Sequence, residues 1–323
     1  MRVNSIDVSI NGIVIIDKPV GWTSHDVVAR ARRLLNERRI GHTGTLDPFA
    51  TGVLILLIGR ATRLAPFFAQ AEKEYEAVVR LGYATETGDL TGTPRPASHA
   101  FVDCAAWSDV EIEAVIESLR GEHAQVPPMY SAKKVKGQKL YELARQGKVI
   151  ERAPVPVTIH EFETVRQADG ALLRCDDEAA CDLSVRVVCS AGTYVRVLAE
   201  TLGERLGVGA HLAALRRTRA GEFHIANAID VEMLGEVRGD GVRTKENILS
   251  PAAALHELPS VHLTGDAVRR VRHGAMIRVD ESQPPWADAT LIRMHDEQGE
   301  LIAVGMYEAA SGQLRPRVML APA

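Results

Sequence analysis

The apolar residues of this chain occur in short segments, and this limits what the chain can fold into. The longest uninterrupted apolar run is Val53–Ile58, far shorter than the ~20 residues that a helix needs to cross a membrane. Hydrophobic residues make up 46% and charged residues 25% of the 323 residues, as in ordinary globular proteins. We therefore expect no membrane span, no secretory signal and a cytoplasmic location.

Apolar periodicity predicts a chain that mixes strands and helices. Strands are predicted where apolar residues run together or alternate, at 13–16, 75–83 and 183–189. Helices are predicted where they recur every three or four residues, at 24–37, 109–119 and 193–206. Ser24 is the predicted N-cap of the first helix, and a further helix is expected after Gly209. The run 53–58 fits either a strand or a helix.

The pattern changes near residue 255, where a set of short strands begins. They are predicted at 276–279, 290–295, 301–307 and 317–320. Gly299 marks a hairpin turn between the middle pair. We therefore divide the chain into an α+β domain over 1–250 and a small β-rich module over 255–323.

Charge is distributed unevenly along the chain, although the net charge is only −4. Residues 29–39 carry a net +4 and residues 133–152 a net +5, whereas acidic residues dominate 103–117 and 161–187. Such basic segments are either solvated helix faces or surfaces that bind a nucleic acid.

Four cysteines, at positions 104, 175, 181 and 189, form no C-x-x-C pair. We interpret them as buried reduced thiols, in agreement with a reducing cytoplasm, and predict no metal site. Nucleotide-binding and hydrolase motifs such as G-x-x-x-x-G-K-[ST], G-x-G-x-x-G and G-x-S-x-G are missing, so no cofactor is indicated.

One loop, GHTGTLDPFATG at 41–52, has a composition that suits a binding site. Its glycines at 41, 44 and 52 allow sharp bends and close approach of a ligand. Asp47 precedes Pro48, which stiffens the turn. By composition alone, Asp47 is equally explained as a turn former and His42 as a structural residue.

The same loop, extended to 41–54, resembles the signature of the bacterial tRNA pseudouridine-55 synthases, the TruB family, and Asp47 matches the catalytic aspartate of that family. Other segments resemble family motifs in the same order along the chain. They are Asp17–Ser24, Lys73–Tyr75, Thr85–Asp89, Pro127–Ala132, Cys189–Arg196, Gly209–Leu212 and Leu215–Thr218.

The resemblance implies the pseudouridine-synthase fold, α+β with a mixed, mainly antiparallel sheet flanked by helices. It also implies a basic, RNA-gripping insertion over about residues 120–155. The module over 255–323 resembles a PUA RNA-binding domain through its short strands and Arg272-His273-Gly274. The segment 96–108 is longer than the family pattern and is expected to form a surface loop.

The resemblance further implies a role for each matched side chain. Asp47 would act as the catalytic carboxylate, held ionised by Arg196. Tyr75 would stack on the target uracil and accept a proton. His42, Tyr194 and Leu215 would bind the flipped nucleotide. The predicted contacts to RNA phosphates are Lys133, Lys134, Lys136, Lys139, Arg216, Arg217 and Arg219.

The implied activity is isomerisation of uridine 55 in the T-loop of tRNA, by base flipping. We expect no metal, no cofactor and no protein partner, and a monomer. It stays open whether the aspartate attacks the sugar, attacks the base or helps to form a glycal intermediate. Three alternatives also stay open: an RNA-binding tRNA-folding chaperone, a related synthase acting on another RNA, and a glycosidase with Asp89 as its second carboxylate.

Overall fold

The computed structural model describes residues 10–95, 107–131, 133–135, 137–176, 180–236, 247–279 and 286–321. The expected surface loop at 96–108 lies almost entirely outside these residues. Within them the chain forms two main sheets and a small hairpin. None of the helices described is both long enough and apolar enough to cross a membrane.

The larger sheet has ten strands. They are β1 (Gly12–Lys18), β2 (Ile40–Thr43), β3 (Thr51–Ile58), β4 (Lys73–Leu81), β5 (Gly121–Gln125), β8 (Val155–Thr164), β9 (Leu173–Cys175), β10 (Cys181–Cys189), β11 (Ala210–Ala220) and β12 (Phe223–His224). Its main order is β1-β3-β11-β4-β10-β8-β5. Among the described strand pairings of this larger sheet, the one between β3 and β11 is parallel and the others are antiparallel, which confirms the mixed, mainly antiparallel sheet.

The ambiguous run 53–58 belongs to a strand, β3, that is buried on both faces. Val53, Ile55 and Leu57 pack into one core cluster, and the residues between them pack into another. A strand covered on both sides needs no polar face, so its sequence does not alternate.

Helices pack against both halves of this sheet. They are α1 (Ser24–Leu35), α2 (Ala65–Ala69), α3 (Asp109–Ser118), α4 (Leu140–Arg145), α5 (Val195–Leu206) and α6 (Met233–Glu236). The first packs against β1 and β3, whereas α3 and α5 pack on β4 and β10. A hairpin of β6 (Lys134–Val135) and β7 (Gln138–Lys139) precedes α4.

Two details of the predicted helices are wrong. The N-cap of α1 is Thr23, which forms a capping box with Asp26, and Ser24 is the first helical residue. No helix follows Gly209, since residues 210–220 form β11. Two register shifts interrupt the pairing of β11 with β4, and such bulges disrupt the period of two by which a strand is identified.

The smaller sheet is built from the C-terminal residues, in the order β13-β15-β16-β17-β14. The strands are β13 (Ser260–His262), β14 (Ile277–Arg278), β15 (Leu291–His295), β16 (Leu301–Glu308) and β17 (Gln313–Met319). Helices α7 (Pro251–Ala254) and α8 (Gly265–Arg272) accompany it. The sheet is separate from the larger one, and Gly299 lies in the hairpin turn with a φ of 80°.

The two parts of the chain share one core cluster. Leu255, Val304 and Leu320 belong to the cluster that includes Ile13 and Val53. Polar contacts reinforce it, because Arg60 donates to the carbonyl of Leu320 at 3.1 Å and Arg63 to that of Met319 at 2.7 Å. The other face of the smaller sheet has a separate cluster built from C-terminal residues alone.

The interpretation of the cysteines as reduced thiols is wrong for one pair. Cys175 and Cys181 form a disulfide, because antiparallel pairing of β9 with β10 places them opposite each other. Cys189 is free and buried, and Cys104 lies outside the described residues. The cysteines therefore no longer support the expected cytoplasmic location.

We predict that Gly203→Ala destabilises the protein, although alanine is favoured over glycine in an isolated helix. A Cβ at position 203 would lie 2.4 Å from backbone atoms of Gly209 and Ala210. Forcing α5 away from β11 should lower the free energy of unfolding by about 2 kcal/mol, measured by urea denaturation. The exposed neighbour provides the control: Glu204→Ala should change stability by less than ~0.5 kcal/mol. Equal effects of both changes would contradict this packing.

Candidate active site

The loop between β2 and β3, residues 44–50, carries Asp47 and is called here the Asp47 loop. It borders a cavity of about 240 Å³. Strands β4 and β11 supply Tyr75 and Leu215 to the cavity wall, and the start of α5 supplies Tyr194 and Arg196. Asp47, Tyr75, Arg196, Tyr194 and Leu215, which are far apart in the sequence, thus meet at one cavity.

Ser24, the first residue of α1, and Gly21, just before the helix, hold the Asp47 loop in place. Ser24 accepts a hydrogen bond from the amide of Leu46 at 2.9 Å and donates to its carbonyl at 3.2 Å. The carbonyl of Pro48 accepts from the amide of Gly21 at 2.8 Å. The loop therefore has a defined position on both sides of Asp47. No role in the site was predicted for Ser24, although it falls in a matched motif.

Lys18 is a second support that was not predicted. Its side chain is fully buried, and its Nζ donates to the carbonyls of Trp22 at 2.7 Å and Pro19 at 2.8 Å, with Pro48 at 3.4 Å. Burial lowers the pKa of Lys18 to about 8, while the nearby Asp47 opposes the change. The lysine therefore connects the segment before α1 to the residue that follows Asp47.

Asp47 and Arg196 form an ion pair, with Nε of the arginine 2.9 Å from a carboxylate oxygen. The side chain of Arg196 is 5% exposed and that of Asp47 is 34% exposed. The guanidinium also donates to the carbonyls of Thr87 at 2.7 Å and Tyr130 at 2.6 Å. Nη1 and Nη2 each donate to a backbone carbonyl, so Arg196 presents its Nε–H to the aspartate.

Asp89 lies behind this pair as a second carboxylate. One of its oxygens is 3.8 Å from Arg196, and the other accepts from the hydroxyls of Thr87 at 2.8 Å and Thr91 at 2.6 Å. Asp89 is buried and does not line the cavity. It thus helps to neutralise Arg196 rather than facing a ligand.

Opposing influences act on the pKa of Asp47. Burial raises the pKa above its ordinary value, and the positive charge of Arg196 lowers it, whereas the negative charge of Asp89 raises it. Desolvation penalises the charged form of an acid, and an opposite charge in contact restores it. Arg196 is therefore the main group that favours the carboxylate form.

The start of α5 is positioned by Gln125, which was not predicted as a site residue. Its amide oxygen accepts from the backbone amide of Tyr194 at 2.7 Å, and its amide nitrogen donates to the carbonyl of Tyr194 at 3.1 Å. The glutamine is at the end of β5 and is buried. It fixes the residue that precedes α5, and with it the direction of Arg196.

Tyr75 and Leu215 form the apolar part of the cavity wall, each 8% exposed. Lys73, two residues before Tyr75, is also buried, and its Nζ donates to the carbonyls of Ala69, at 2.7 Å, and Ala71. Burial lowers the pKa of Lys73 to about 8. The cavity therefore combines a flat aromatic surface with a carboxylate and several cationic groups.

His42 is not among the residues that line the cavity. It is on β2, where its ring meets that of His25 edge to face at 5.5 Å, and its Nδ1 is buried without a hydrogen-bond partner in the described part of the chain. Burial, helped by His25 and Arg217, lowers the pKa of His42 to about 4. The ring is thus neutral near pH 7.

The structure contradicts one predicted phosphate contact. Arg217 is 1% exposed and donates to backbone carbonyls inside the molecule, so it has no surface to offer to RNA. Arg216 points the other way and pairs with Asp17 at 2.7 Å, and Arg219 pairs with Glu72 at 2.6 Å. Lys133 is half-buried. Lys136 and the side chains of Lys134 and Lys139 lie outside the described atoms.

The arrangement suits nucleophilic or base chemistry on a flat heterocycle. A carboxylic acid side chain, paired with a buried arginine, faces a cavity with one aromatic wall and one aliphatic wall. No group of three or more His, Cys, Asp or Glu side chains suited to hold a metal ion occurs in the part of the chain that the structure describes.

Comparison with known proteins gives two matching family models. Residues 32–195 match the TruB family pseudouridylate synthase (N terminal domain), and residues 196–255 match the tRNA pseudouridylate synthase B C-terminal domain. A tRNA pseudouridine synthase B from Thermobifida fusca is 42% identical over 317 residues, covering 96% of this chain and 99% of that protein. One from Cupriavidus metallidurans is 41% identical, covering 95% of this chain and 93% of that protein.

Solved structures show the same fold. A chain in the crystal structure of the archaeal box H/ACA sRNP Nop10–Cbf5 complex has a TM-score of 0.67 at 26% identity, covering 96% of this chain and 86% of that chain. A chain of the H/ACA RNP bound to a substrate RNA containing 2′-deoxyuridine has a TM-score of 0.68 at 25% identity, with 96% and 85% covered. These similarities confirm the predicted fold class.

We predict that two substitutions move the pKa of Asp47 in opposite directions. Arg196→Gln removes the adjacent positive charge and should raise the pKa, whereas Asp89→Asn removes a negative charge and should lower it. The measurement is a pH titration of the 13C carboxyl resonances of labelled aspartates, with Asp47→Asn identifying the signal. Arg205→Gln, on the exposed side of α5, should leave the titration unchanged. Shifts of the same sign in the two test variants would contradict this electrostatic arrangement.

Proposed function

The chain belongs to the TruB family of pseudouridylate synthases, and from this membership we propose that it converts uridine 55 in the T-loop of tRNA to pseudouridine. The observation that carries the proposal is the Asp47–Arg196 pair beside the aromatic wall of Tyr75. The curated relatives that are about 40% identical over nearly their whole length are named tRNA pseudouridine synthase B, which favours tRNA as the substrate.

The reaction is an internal rearrangement of one nucleotide. The bond from C1′ to N1 breaks, the base turns, and a bond from C1′ to C5 forms. N1 gains one proton and C5 loses one, so atoms and electrons balance without a co-reactant. The protein must therefore supply a group that attacks or deprotonates, a surface that retains the free base, and a proton acceptor for C5.

Asp47 supplies the first of these groups in our proposal. It must be ionised to act, and the guanidinium of Arg196 at 2.9 Å counters the effect of burial on its pKa. Arginine suits this position because it stays protonated at all relevant pH values and directs its donors in a fixed plane. The three possible intermediates, a sugar adduct, a base adduct and a glycal, all require this charged form.

Tyr75 and Leu215 hold the base between an aromatic and an aliphatic face, with Tyr194 at the rim. The phenolate form of Tyr75, which has released its own proton to solvent, accepts the proton from C5. Bringing uracil into this buried site requires flipping the nucleotide out of the RNA, at a cost of a few kcal/mol. His42, neutral at pH 7, packs into the space that the nucleotide leaves. An uncharged ring fits between stacked bases without the desolvation penalty of an imidazolium.

Phosphate contacts outside the cavity position the tRNA without reading its sequence. The lysines of the insertion, at 133, 134, 136 and 139, and Arg216 provide these contacts. The C-terminal sheet, which we take as PUA-like, extends the RNA-binding surface. The enzyme works without a protein partner, as a monomer.

A glycosidase with two carboxylates is not favoured by the geometry. Its second acid would face the same cavity as Asp47. Asp89, the nearest candidate, is buried and accepts hydrogen bonds from Thr87 and Thr91. With one oxygen occupied in this way, the other 3.8 Å from Arg196, and neither lining the cavity, Asp89 is unsuited to activate a water molecule there.

We predict that Asp47→Asn abolishes pseudouridine formation at position 55, because the amide is neither a nucleophile nor a base. The test incubates each protein with unmodified tRNA and with a T-arm mini-substrate, and maps pseudouridine by chemical labelling. Turnover should fall by at least ~10⁴-fold, while tRNA affinity is retained. Arg196→Ala should have a similar effect on turnover.

The same assay separates the alternatives. A wild-type protein that modifies another uridine, or only another RNA, would refute the assigned substrate. An Asp47→Asn variant with undiminished turnover would refute the assigned chemistry. If the wild-type protein refolds tRNA and Asp47→Asn does so equally well without any isomerisation in either, the chaperone alternative would replace our proposal.

We predict that tRNA binding is strongly dependent on salt. If about five phosphates are neutralised, the plot of log affinity against log salt should have a slope of roughly −3 to −5. Changing the four lysines at 133, 134, 136 and 139 to glutamine should reduce this slope by ~0.7–0.9 for each phosphate that is no longer neutralised. Arg166→Gln, at an exposed pair with Asp109, is the matched control. An unchanged slope in the lysine variant would show that these lysines only solvate the surface.

A further inference from the structure

Arg217 is a buried arginine whose role is not explained by phosphate binding. It is 1% exposed and among the largest fully buried side chains of the described residues. Its hydrogen-bond partners in that part of the chain are two backbone carbonyls, which are neutral. A buried guanidinium without a carboxylate is unfavourable, so a fold that keeps one has a use for its position or its charge.

The two carbonyls lie on either side of the Asp47 loop. Nε donates to the carbonyl of Val53 at 2.7 Å, and Nη2 donates to that of Gly44 at 2.8 Å. Val53 follows the loop in β3, whereas Gly44 is its first residue. One rigid guanidinium thus connects the beginning of the Asp47 loop to the strand after it.

Two glycines of the loop motif make room for this arginine. At Gly44, which has a φ of +68°, a Cβ would lie 3.2 Å from Nη1 of Arg217. At Gly52, a Cβ would lie 2.2 Å from the carbonyl oxygen of Arg217, within a parallel pairing of β3 with β11. We expected these glycines to admit a ligand. The structure shows that their close neighbour is Arg217.

Tyr75 is the cavity residue beside Arg217. The two residues are directly paired across β4 and β11, so their side chains lie on the same face of the sheet, and both line the cavity that holds Asp47. The positive charge of Arg217 acts on the phenol and opposes the rise in its pKa that burial causes. The same guanidinium is therefore hydrogen-bonded to the Asp47 loop and faces the cavity beside Tyr75.

We propose that Arg217 is the positioning residue that holds the Tyr75 hydroxyl at a fixed place relative to the Asp47 loop. The inference rests on the proposed function, in which the Tyr75 oxygen takes the proton from C5. Proton transfer depends steeply on the distance and direction of the acceptor. If Arg217 holds the Tyr75 oxygen at a constant distance from the Asp47 loop, the proton acceptor and the carboxylate keep their relative positions while the base turns.

The charge of Arg217 also favours the role proposed for Tyr75. Burial raises the pKa of Tyr75, and Arg217 opposes that rise, whereas the negative charge of Asp47 adds to it. Cys189, the other titratable group near the phenol, has a pKa raised to about 11 by burial and is a neutral thiol. The positive charge of Arg217 thus favours the phenolate form of Tyr75, which is the form that can accept a proton.

The test compares Arg217→Gln and Arg217→Lys with the control Arg80→Gln. Arg80 is on β4 outside the site, where it forms a part-exposed ion pair with Asp182 of β10. Each folded variant is titrated by its tyrosinate absorbance, with the matching Tyr75→Phe variant subtracted to isolate Tyr75. In Arg217→Gln, the Tyr75 transition should move to higher pH. In Arg217→Lys it should move less, because the positive charge remains. Arg80→Gln should leave it in place.

Turnover on tRNA then separates positioning from folding. Both Arg217 variants should lose at least ~100-fold in kcat with little change in KM or in thermal midpoint, since neither glutamine nor lysine can bond both carbonyls and still direct a donor toward Tyr75. In a protein that already carries Tyr75→Phe, adding Arg217→Gln should reduce turnover by a much smaller factor than Arg217→Gln causes in the wild-type protein. Two results would overturn the proposal. One is a double variant whose loss of turnover equals the product of the two single losses, and the other is an Arg217→Gln variant in which Tyr75 titrates at the wild-type pH.

Failure of this proposal can be distinguished from failure of the proposed function and from failure of a variant to fold. The titration needs no substrate, so an enzyme inactive on tRNA would refute the proposed function while leaving the Arg217–Tyr75 contact measurable. If the Arg217 variants do not fold, Tyr75→Phe is studied by NMR of the arginine side chains. Loss of the phenolic acceptor should shift the Arg217 resonances and speed their proton exchange, and unchanged signals would overturn the proposal.

Discussion

The ion pair between Asp47 and Arg196 is the interaction on which the site depends. A carboxylate partly removed from water tends to become neutral, and a lone buried guanidinium is unfavourable, so each group requires the other. The carbonyls of Thr87 and Tyr130 and the carboxylate of Asp89 satisfy the remaining donors and charge of Arg196. The pair is thus part of a compensated network, and its geometry is set by backbone that has little freedom to move.

The fold brings this network together through the central strands of the larger sheet. Strand β3 continues the Asp47 loop, β11 lies beside it in a parallel pairing, and β4 follows on the other side of β11. Helix α5 packs on β11 and carries Arg196 in its first turn. Because the functional side chains stand on the ends of buried elements, small displacements of any one element are resisted by the core that it shares with the others.

Much of the fold could be predicted from the residues, and the failures have physical causes. The helices of residues 109–118 and 195–206 were identified because each keeps an apolar stripe at helical spacing. The strand at 210–220 was taken for a helix because its two bulges conceal the alternation. The disulfide was missed because strand register, which determines whether two cysteines face each other, cannot be read from spacing.

The site was predictable to a similar extent and for similar reasons. Asp47, Tyr75, Arg196, Tyr194 and Leu215 lie at one cavity, and family motifs identified all five. The motifs did not distinguish side chains that face a ligand from those that support the site, so Arg217 was assigned to the surface and the role of Ser24 was not recognised. Gln125 lies in no motif, and its importance follows only from its two hydrogen bonds to Tyr194.

The core shared by the two sheets gives the C-terminal module a second role. Leu255, Val304 and Leu320 pack in the cluster that contains Val53, a residue just after the Asp47 loop. A truncated chain lacking this module would expose the apolar side of β3, and solvent would then reach the strand that continues the Asp47 loop. The module therefore also covers one face of the larger sheet. Exchanging it between homologues would require matching changes in the residues of the larger sheet that it packs against.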